Sequence, residues 1–220
     1  MAYTNSSLAT VKVLSPNHSG ERNHKIDTIT IHCVVGQCNA KRIGEVFLPK
    51  SRRASSNYGV GNDGSIGLYV EEKNRSWCTS SSSNDNRAIT IEVASDTKDP
   101  YAVTDKAYAA LIDLVTDICK RNDIKELKWK GDKSLIGQVD KQNMTVHRWF
   151  ANKACPGEYL YSRHGAIAAE VNKRLKPKED TTSKTIYAVQ LGAFSKKTNA
   201  KNKLKEVKAA GFTDAIIVKR

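Results

Sequence analysis

Hydrophobic and polar residues alternate in two short stretches of the chain, at residues 28–31 and 88–93. An alternation with a period of two is typical of β-strands that bury one face. His32 follows on the polar face of the first strand, and Glu92 lies on the polar face of the second. If the two strands belong to one sheet, we expect His32 and Glu92 to emerge together near its end.

Other patterns predict two more strands and two helices. Residues 57–61 and 66–70 flank a turn that contains Asp-Gly, a pair that readily adopts the positive φ of hairpin turns. Apolar residues recur at helical spacing in residues 104–121 and again in residues 160–175. Strands mixed with two long amphipathic helices predict an α/β domain.

The composition changes after Leu175, where proline, charged and small polar residues follow without apolar periodicity. We therefore expect a domain at 1–176, a linker at 177–184 and a small C-terminal unit at 185–220. Within that unit the pattern predicts a βαβ appendage, with strands at 185–191 and 215–218 around a helix at 200–209.

The chain of 220 residues has a formal net charge of +13, and 39% of its residues are hydrophobic. This length fits one domain with a small appendage, and the charge favours polyanionic partners. The sequence has no zinc-finger spacing, no RNP-like aromatic motif and no basic helix with a heptad zipper, so we expect no nucleic-acid partner. Anionic polymers of the bacterial wall are another candidate partner, because their negative charge complements the positive charge of the protein.

Residues 1–25 contain no apolar run long enough for a signal peptide or a transmembrane helix. We therefore expect synthesis in the cytosol and no membrane partner. The five cysteines form no CxxC pair, which favours free thiols over a disulfide framework.

Two histidines and one cysteine suggest a metal site: His32, His147 and Cys155. Zn²⁺ accepts imidazole and thiolate ligands, and three protein ligands leave one position open for water, which suggests hydrolysis. From these residues alone, hydrogen-bonded core histidines and a buried thiol remain the alternative interpretation.

Residues 26–175 resemble the zinc-dependent N-acetylmuramoyl-L-alanine amidases of the type-2 group, relatives of the peptidoglycan recognition proteins and T7 lysozyme. The resemblance is strongest to amidase domains of endolysins from phages of Gram-positive bacteria. It depends on motifs that occur in the family's order: His32, Asn57-Tyr58, Asn62-Asp-Gly-Ser-Ile66, Ser76-Trp77, Asn84 through Glu92, Thr145-Val-His147 and Cys155-Pro-Gly157.

The resemblance implies a mixed central β-sheet flanked by helices and one Zn²⁺ held by His32, His147 and Cys155. It also implies hydrolysis of the amide between N-acetylmuramic acid and the L-alanine of the stem peptide. Glu92 is then expected to shuttle the proton, because a carboxylate beside a zinc-bound water can pass a proton to the leaving nitrogen. Lys153 and Tyr58 are expected to act on the carbonyl oxygen, with a solvated surface lysine and a strand tyrosine packed on the sheet as the alternatives.

Three residues beside the motifs, Trp77, Arg148 and Trp149, are candidates for lining a substrate cleft, with a structural role as the alternative. At Cys33, Asn57 and Cys78 the residue differs from the one found in many relatives. These differences bear on the expected substrate contacts more than on the expected metal ligands. His164 lies at core spacing in its helix, so we expect a satisfied core histidine.

Residues 186–212 resemble the first half of a SPOR repeat, a module that binds septal peptidoglycan. So short a unit buries little surface, so we expect it to pack on the amidase, to pair with a second copy through self-association, or to be a truncated remnant. Its lysines suit attachment to the anionic wall.

The combined prediction is a peptidoglycan amidase of a phage or prophage endolysin, which accumulates in the cytosol and reaches the Gram-positive wall through a holin. Three alternatives stay open: a non-catalytic peptidoglycan-binding protein on the same fold, a cytosolic muropeptide-recycling amidase, and a nucleic-acid binder that uses the positive surface.

Overall fold

The computed structural model describes residues 3–176 and 189–219. Its helices are α1 (Ala40–Val46), α2 (Ser82–Arg87), α3 (Asp105–Arg121), α4 (Gly157–Leu175) and α5 (Lys197–Ala209). Its strands are β1 (Val11–Lys12), β2 (His18–Glu21), β3 (Thr28–Val35), β4 (Tyr58–Val60), β5 (Ile66–Leu68), β6 (Asn74–Ser76), β7 (Ala88–Ser95) and β8 (Met144–Thr145).

Six strands form one sheet in the order β1-β5-β4-β7-β3-β8, and β2 pairs with β6 separately. Within the six-stranded sheet β4 and β5 are antiparallel, and the other neighbouring pairs are parallel. The prediction of an α/β fold with a mixed central sheet flanked by helices is confirmed.

The two central strands, β3 and β7, pair over eight residues each, from Thr28 opposite Ala88 to Val35 opposite Ser95. Side chains alternate between the faces of a sheet, so one face of this pair is aliphatic and the other polar. Isoleucines of the aliphatic face pack with α3 and α4 in the main core: Ile29, Ile31, Ile89 and Ile91. The polar face carries His32 directly opposite Glu92.

The two long helices begin at residues suited to a helix start. The Thr104 hydroxyl accepts a hydrogen bond from the Ala107 N–H and so caps α3. At the start of α4, Gly157 has φ +78°, and an added Cβ would lie 2.6 Å from the Tyr101 Cβ. Only glycine fits this position, and the turn that it makes leads directly from Cys155 into α4.

The chain divides into two compact units, Met1–Pro177 and Lys178–Arg220. In the second unit the predicted helix is confirmed as α5, but residues 215–218 form no strand. The predicted strand at 185–191 falls mostly outside the described residues, and residues 189–191 have no regular structure.

The missing strand has a physical reason, because a strand is stable only when its backbone pairs with another strand. Ile216 and Val218 are 78% and 70% exposed, so no packed face supports that segment. Among the described residues no helix is both long and apolar enough to cross a membrane.

Candidate functional site

The three predicted metal ligands meet at one end of the sheet. His32 belongs to β3, His147 begins a short 3-10 helix after β8, and Cys155 precedes α4. Their donor atoms lie within 4.8 Å of one another. His32 Nδ1 is 3.3 Å from Cys155 Sγ, and the two imidazole rings are 5.1 Å apart.

Backbone pairing brings these residues together. Strand β8 runs parallel to β3, with Thr145 opposite Thr30, so the chain that leaves β8 passes beside His32. The Arg148 N–H donates to the Cys155 carbonyl at 3.1 Å and closes the loop between the second and third ligands. The sheet and this loop therefore place three residues that are distant in sequence around one point.

The donor set fits a zinc ion in chemistry and in spacing. Nitrogen and sulfur ligands bound at about 2.0 and 2.3 Å in a tetrahedron are roughly 3.5 Å apart, close to the observed spacing of His32 and Cys155. The Nε2 atoms of His32 and His147 are buried and have no hydrogen-bond partner among the described residues. Each histidine thus keeps at least one ring nitrogen without a hydrogen-bond partner in the described part of the chain.

Burial also selects the protonation state that a metal requires. It lowers the pKa of His32 well below its usual value, and the neighbouring His147 lowers it further. Burial likewise lowers the pKa of His147, with a smaller effect from the charge of Lys153. Both imidazoles are therefore neutral at pH 7, the form in which they bind metals.

Glu92 lies beside the three ligands, opposite His32 in the sheet. Its Oε2 is shielded from solvent without a partner among the described residues, and the Cys78 thiol donates to Oε1 at 3.9 Å. Burial raises the pKa of Glu92 to about 7, although the charge of Arg52 and the Cys78 thiol oppose the shift. This carboxyl group can therefore both take and release a proton near neutral pH.

The polar face beneath the site is held by a hydrogen-bond network that sequence reasoning missed. The Thr30 and Thr145 hydroxyls are 2.7 Å apart, and the Asn84 side chain bonds both of them. The Asp85 carboxylate accepts from the N–H groups of Cys78 and Thr79 and so fixes the loop that holds Cys78 near Glu92. The only sequence signal was the polar run at 84–86.

Lys153 lies on the same loop as the ligands, and its side chain is exposed. Its positive charge contributes to the lowered pKa of His147. Its role at the carbonyl oxygen stays a prediction.

Tyr58 lies elsewhere, and its expected place beside the metal is wrong. Strand β4 sets Gly59 opposite Glu92 and Tyr58 opposite Ile91, so the tyrosine points to the aliphatic face. Its hydroxyl donates to Glu72 Oε1 at 2.7 Å and accepts from the Ser6 N–H at 2.8 Å. This tyrosine is a buried structural residue.

The candidate cleft residues also differ from the prediction. Trp149 is 8% exposed and stacks on Trp129 with ring centroids 5.1 Å apart. Arg148 donates to the Ala154 carbonyl and lies over the Tyr161 ring. Both side chains brace the ligand loop, so the structural alternative is correct for them.

The indole N–H of Trp77 donates to the Ser19 hydroxyl at 2.6 Å. Because Trp77 is only half-buried, part of its side chain is accessible to a ligand. His164 is fully buried, and its Nδ1–H donates to the Leu160 carbonyl at 2.7 Å. Burial lowers the pKa of His164 to about 4. This histidine occupies the core, as its helical spacing predicts.

Comparison with protein families gives two matches. A family described as N-acetylmuramoyl-L-alanine amidase matches residues 22–158, and a family described as SPOR domain matches residues 183–220. A search among curated proteins gives no match.

Several solved structures share the fold. A mutant endolysin from Bacillus subtilis is 17% identical, with a TM-score of 0.53 over 73% of this chain and 97% of its own. A selenomethionine derivative of AmpD is 19% identical, with a TM-score of 0.54 over 76% and 99%. Drosophila peptidoglycan recognition protein SD is 15% identical, with a TM-score of 0.50 over 68% and 86%. At these identities the likeness shows the fold alone.

Proposed function

Because the chain belongs to the N-acetylmuramoyl-L-alanine amidase family, we propose that it is a zinc-dependent hydrolase of peptidoglycan. The bond cleaved is the amide between N-acetylmuramic acid and the L-alanine of the stem peptide. The observation that carries this proposal is the meeting of His32, His147 and Cys155 next to Glu92, which combines a metal donor set with a proton carrier.

His32, His147 and Cys155 would hold the ion. When bound, Zn²⁺ supplies a Lewis acid and lowers the pKa of a bound water. The two histidines contribute neutral imidazoles because they are buried. In the metal-free protein, a hydrogen bond with Cys33 and burial raise the pKa of Cys155, so its thiol must release a proton on metal binding.

Glu92 moves the proton in this proposal. Its carboxylate accepts a proton from the attacking water and delivers it to the departing nitrogen of L-alanine. A pKa of about 7 suits both steps, since the group is neither a permanent acid nor a permanent base at neutral pH.

Lys153 supports the other end of the reaction. Lys153 is exposed and lies two residues before Cys155, and its ammonium group favours negative charge that develops on the carbonyl oxygen of the scissile amide. Trp77 offers an indole face for a sugar ring or a peptide segment on the β6 side.

We assign wall attachment to the C-terminal unit. Its SPOR match covers residues 183–220, and residues 178–220 carry 10 Lys and Arg against 4 Asp and Glu, a net charge of +6. Such a unit favours an insoluble anionic wall over a soluble muropeptide, which argues against a recycling role. The biological role that we propose is that of a phage-type endolysin, which accumulates in the cytosol and is released to the Gram-positive wall through a holin.

Non-catalytic recognition of peptidoglycan is the second candidate, because one structural neighbour is a peptidoglycan recognition protein. The presence of Glu92 beside a complete donor set favours catalysis over recognition alone.

The test is digestion of purified Gram-positive peptidoglycan by zinc-loaded and chelator-treated protein, with new amino termini and new reducing ends measured in the same samples. We expect chelator-sensitive release of N-terminal alanine without reducing ends. New reducing ends would identify a glycosidase instead, and binding without cleavage would support the recognition alternative.

Glu92→Gln tests the proton carrier. We expect this variant to keep one bound zinc and to lose about 10²- to 10⁴-fold in turnover, the usual contribution of a general acid–base group. Full activity of the variant would remove Glu92 from the mechanism.

A further inference from the structure

A second group of metal donors lies next to the first. His32, Cys78 and Glu92 bring one donor atom each within 4.8 Å of the others. We propose that these residues form a second metal position, which binds a thiophilic divalent cation such as excess Zn²⁺ and inhibits the enzyme. The inhibitory consequence rests on the proposed function, whereas the binding itself does not.

The chemistry of the second group suits zinc. Imidazole, thiolate and carboxylate are the ligand types that Zn²⁺ accepts in proteins. The Cys78 thiolate and the Glu92 carboxylate carry opposite charge to a divalent ion and neutralise it in a buried site. Cys78 releases its thiol proton to solvent when the ion binds.

Hydrogen bonds hold the donors of the second group close together. Glu92 Oε1 lies 3.9 Å from Cys78 Sγ, while its Oε2 is shielded and has no partner within the part of the chain that the structure describes. Hydrogen bonds from Cys78 and Thr79 to Asp85 fix the loop that carries the thiol. Because these groups are held in place, binding requires little rearrangement.

His32 can serve both groups because its ring has two nitrogens on different edges. Nδ1 faces Cys155 at 3.3 Å and belongs to the first group. Nε2 is the nitrogen that is fully buried and lacks a partner among the described residues. His32 would offer Nε2 to an ion at the second position, and its ring N–H proton would then be released to solvent.

Occupation of the second position stops the reaction because it engages the proton carrier. A carboxylate that is bound to a cation cannot accept a proton from water at the same time. We therefore expect the first zinc equivalent to activate the enzyme and further zinc to inhibit it.

Cobalt titration of the metal-free full-length chain, under reducing conditions, tests the second position directly. Thiolate ligands of Co²⁺ give a near-ultraviolet charge-transfer band, so each thiolate that enters coordination adds intensity. We expect two steps for the wild type, one from Cys155 and a weaker one from Cys78. Cys78→Ser should lose the second step and keep the first.

Two further variants complete the design. Cys38→Ser removes a half-buried thiol outside both donor groups and should keep both steps. Glu92→Gln should weaken the second step and tests the position independently if Cys78→Ser folds poorly, as judged by circular dichroism. A single thiolate step in the wild type, or a second step that survives in Cys78→Ser, would overturn the proposal.

Activity measurements separate the two proposals. If the protein shows both cobalt steps but cleaves no peptidoglycan, the amidase function fails and the second metal position stands. If it cleaves peptidoglycan and shows one thiolate step, only the second position fails. Where both hold, inhibition by excess Zn²⁺ should be lost in Cys78→Ser.

Discussion

The two faces of strands β3 and β7 differ in the side chains that they carry and in the interactions that hold them. On one face Ile31 and Ile91 are fully buried against the helices. On the other face, one residue further along each strand, His32 and Glu92 meet the metal donors. The aliphatic face is held by packing, whereas the polar face is held by hydrogen bonds and leaves selected atoms unpartnered.

Adjacent residues of one strand point to opposite faces of the sheet, so one position along the strand separates the hydrophobic core from the candidate metal site. A change on the aliphatic face should act on stability, and a change on the polar face should act on metal binding and turnover. The following predictions test that separation, from the largest expected effect to the smallest.

In a Cys78→Ser background, which removes the second metal position, Cys155→Ser should abolish both bound zinc and amidase activity. A hydroxyl is a much poorer zinc ligand than a thiolate, and two histidines alone do not hold the ion. The measurements are metal content of the purified protein and digestion of peptidoglycan. Cys38→Ser, which changes a thiol outside the donor groups, should behave as the wild type. Stoichiometric zinc in the double variant Cys78→Ser/Cys155→Ser would contradict the ligand assignment.

Ile91→Ala should act on the aliphatic face alone. Removal of a fully buried isoleucine side chain costs about 2–5 kcal/mol of unfolding free energy, because it loses burial and leaves a cavity. Denaturant unfolding measures the loss, and the folded protein should still bind one zinc. Ile216→Ala is the matched control, since that side chain is 78% exposed; it should change stability by less than about 0.5 kcal/mol. An equal loss in both variants would contradict the assignment of the core.

Tyr58→Phe tests the residue whose face the structure corrects. Loss of the hydroxyl leaves the buried Glu72 carboxylate without one donor, which should cost about 1–3 kcal/mol of stability. Turnover per folded molecule should stay unchanged. Tyr161→Phe, a half-buried tyrosine on α4, serves as the control. A large fall in kcat without a loss of stability would instead place the hydroxyl at the reacting carbonyl.

The last prediction concerns pH and the metal-free protein. Because burial raises the pKa of Glu92 from 4.5 to about 7, the folded state binds more protons than the unfolded state between these values. Glu92 therefore lowers stability as the pH rises from about 4.5 to 7. The buried histidines His32 and His147, whose pKa values are lowered, act in the opposite direction.

Comparison with Glu92→Gln isolates the contribution of this carboxyl group. As the pH rises from about 4.5 to 7, the unfolding free energy of the wild type should fall relative to that of Glu92→Gln. Denaturant unfolding at a series of pH values, with a chelator present, measures it. A difference that is independent of pH would show that the carboxyl group titrates at its ordinary value.

Most of the fold was predictable because it depends on local periodicity. The alternation at 28–31 and 88–93 predicted the central strands, and apolar spacing predicted α3 and α4. The strand predicted at 215–218 failed because its stability depends on a partner that no local pattern reveals.

The candidate site was predictable only through the family resemblance. Residue types alone left core histidines and a buried thiol as an open interpretation, and the motifs around His32, Glu92, His147 and Cys155 indicated the site. The sequence left Trp149 and Tyr58 open between a cleft and the core, because aromatic residues serve equally in both, and the structure places both in packed surroundings.

The sequence by itself determined the elements, the donor types and the family motifs, because these depend on residue identity and on spacing along the chain. Only the tertiary structure decided which face each side chain occupies and which donors meet. The register of β4 against β7 sends Tyr58 away from Glu92, and the loop after residue 76 brings Cys78 toward it. Strand register and loop closure are contacts between distant residues, and their energies are set by the whole packed domain.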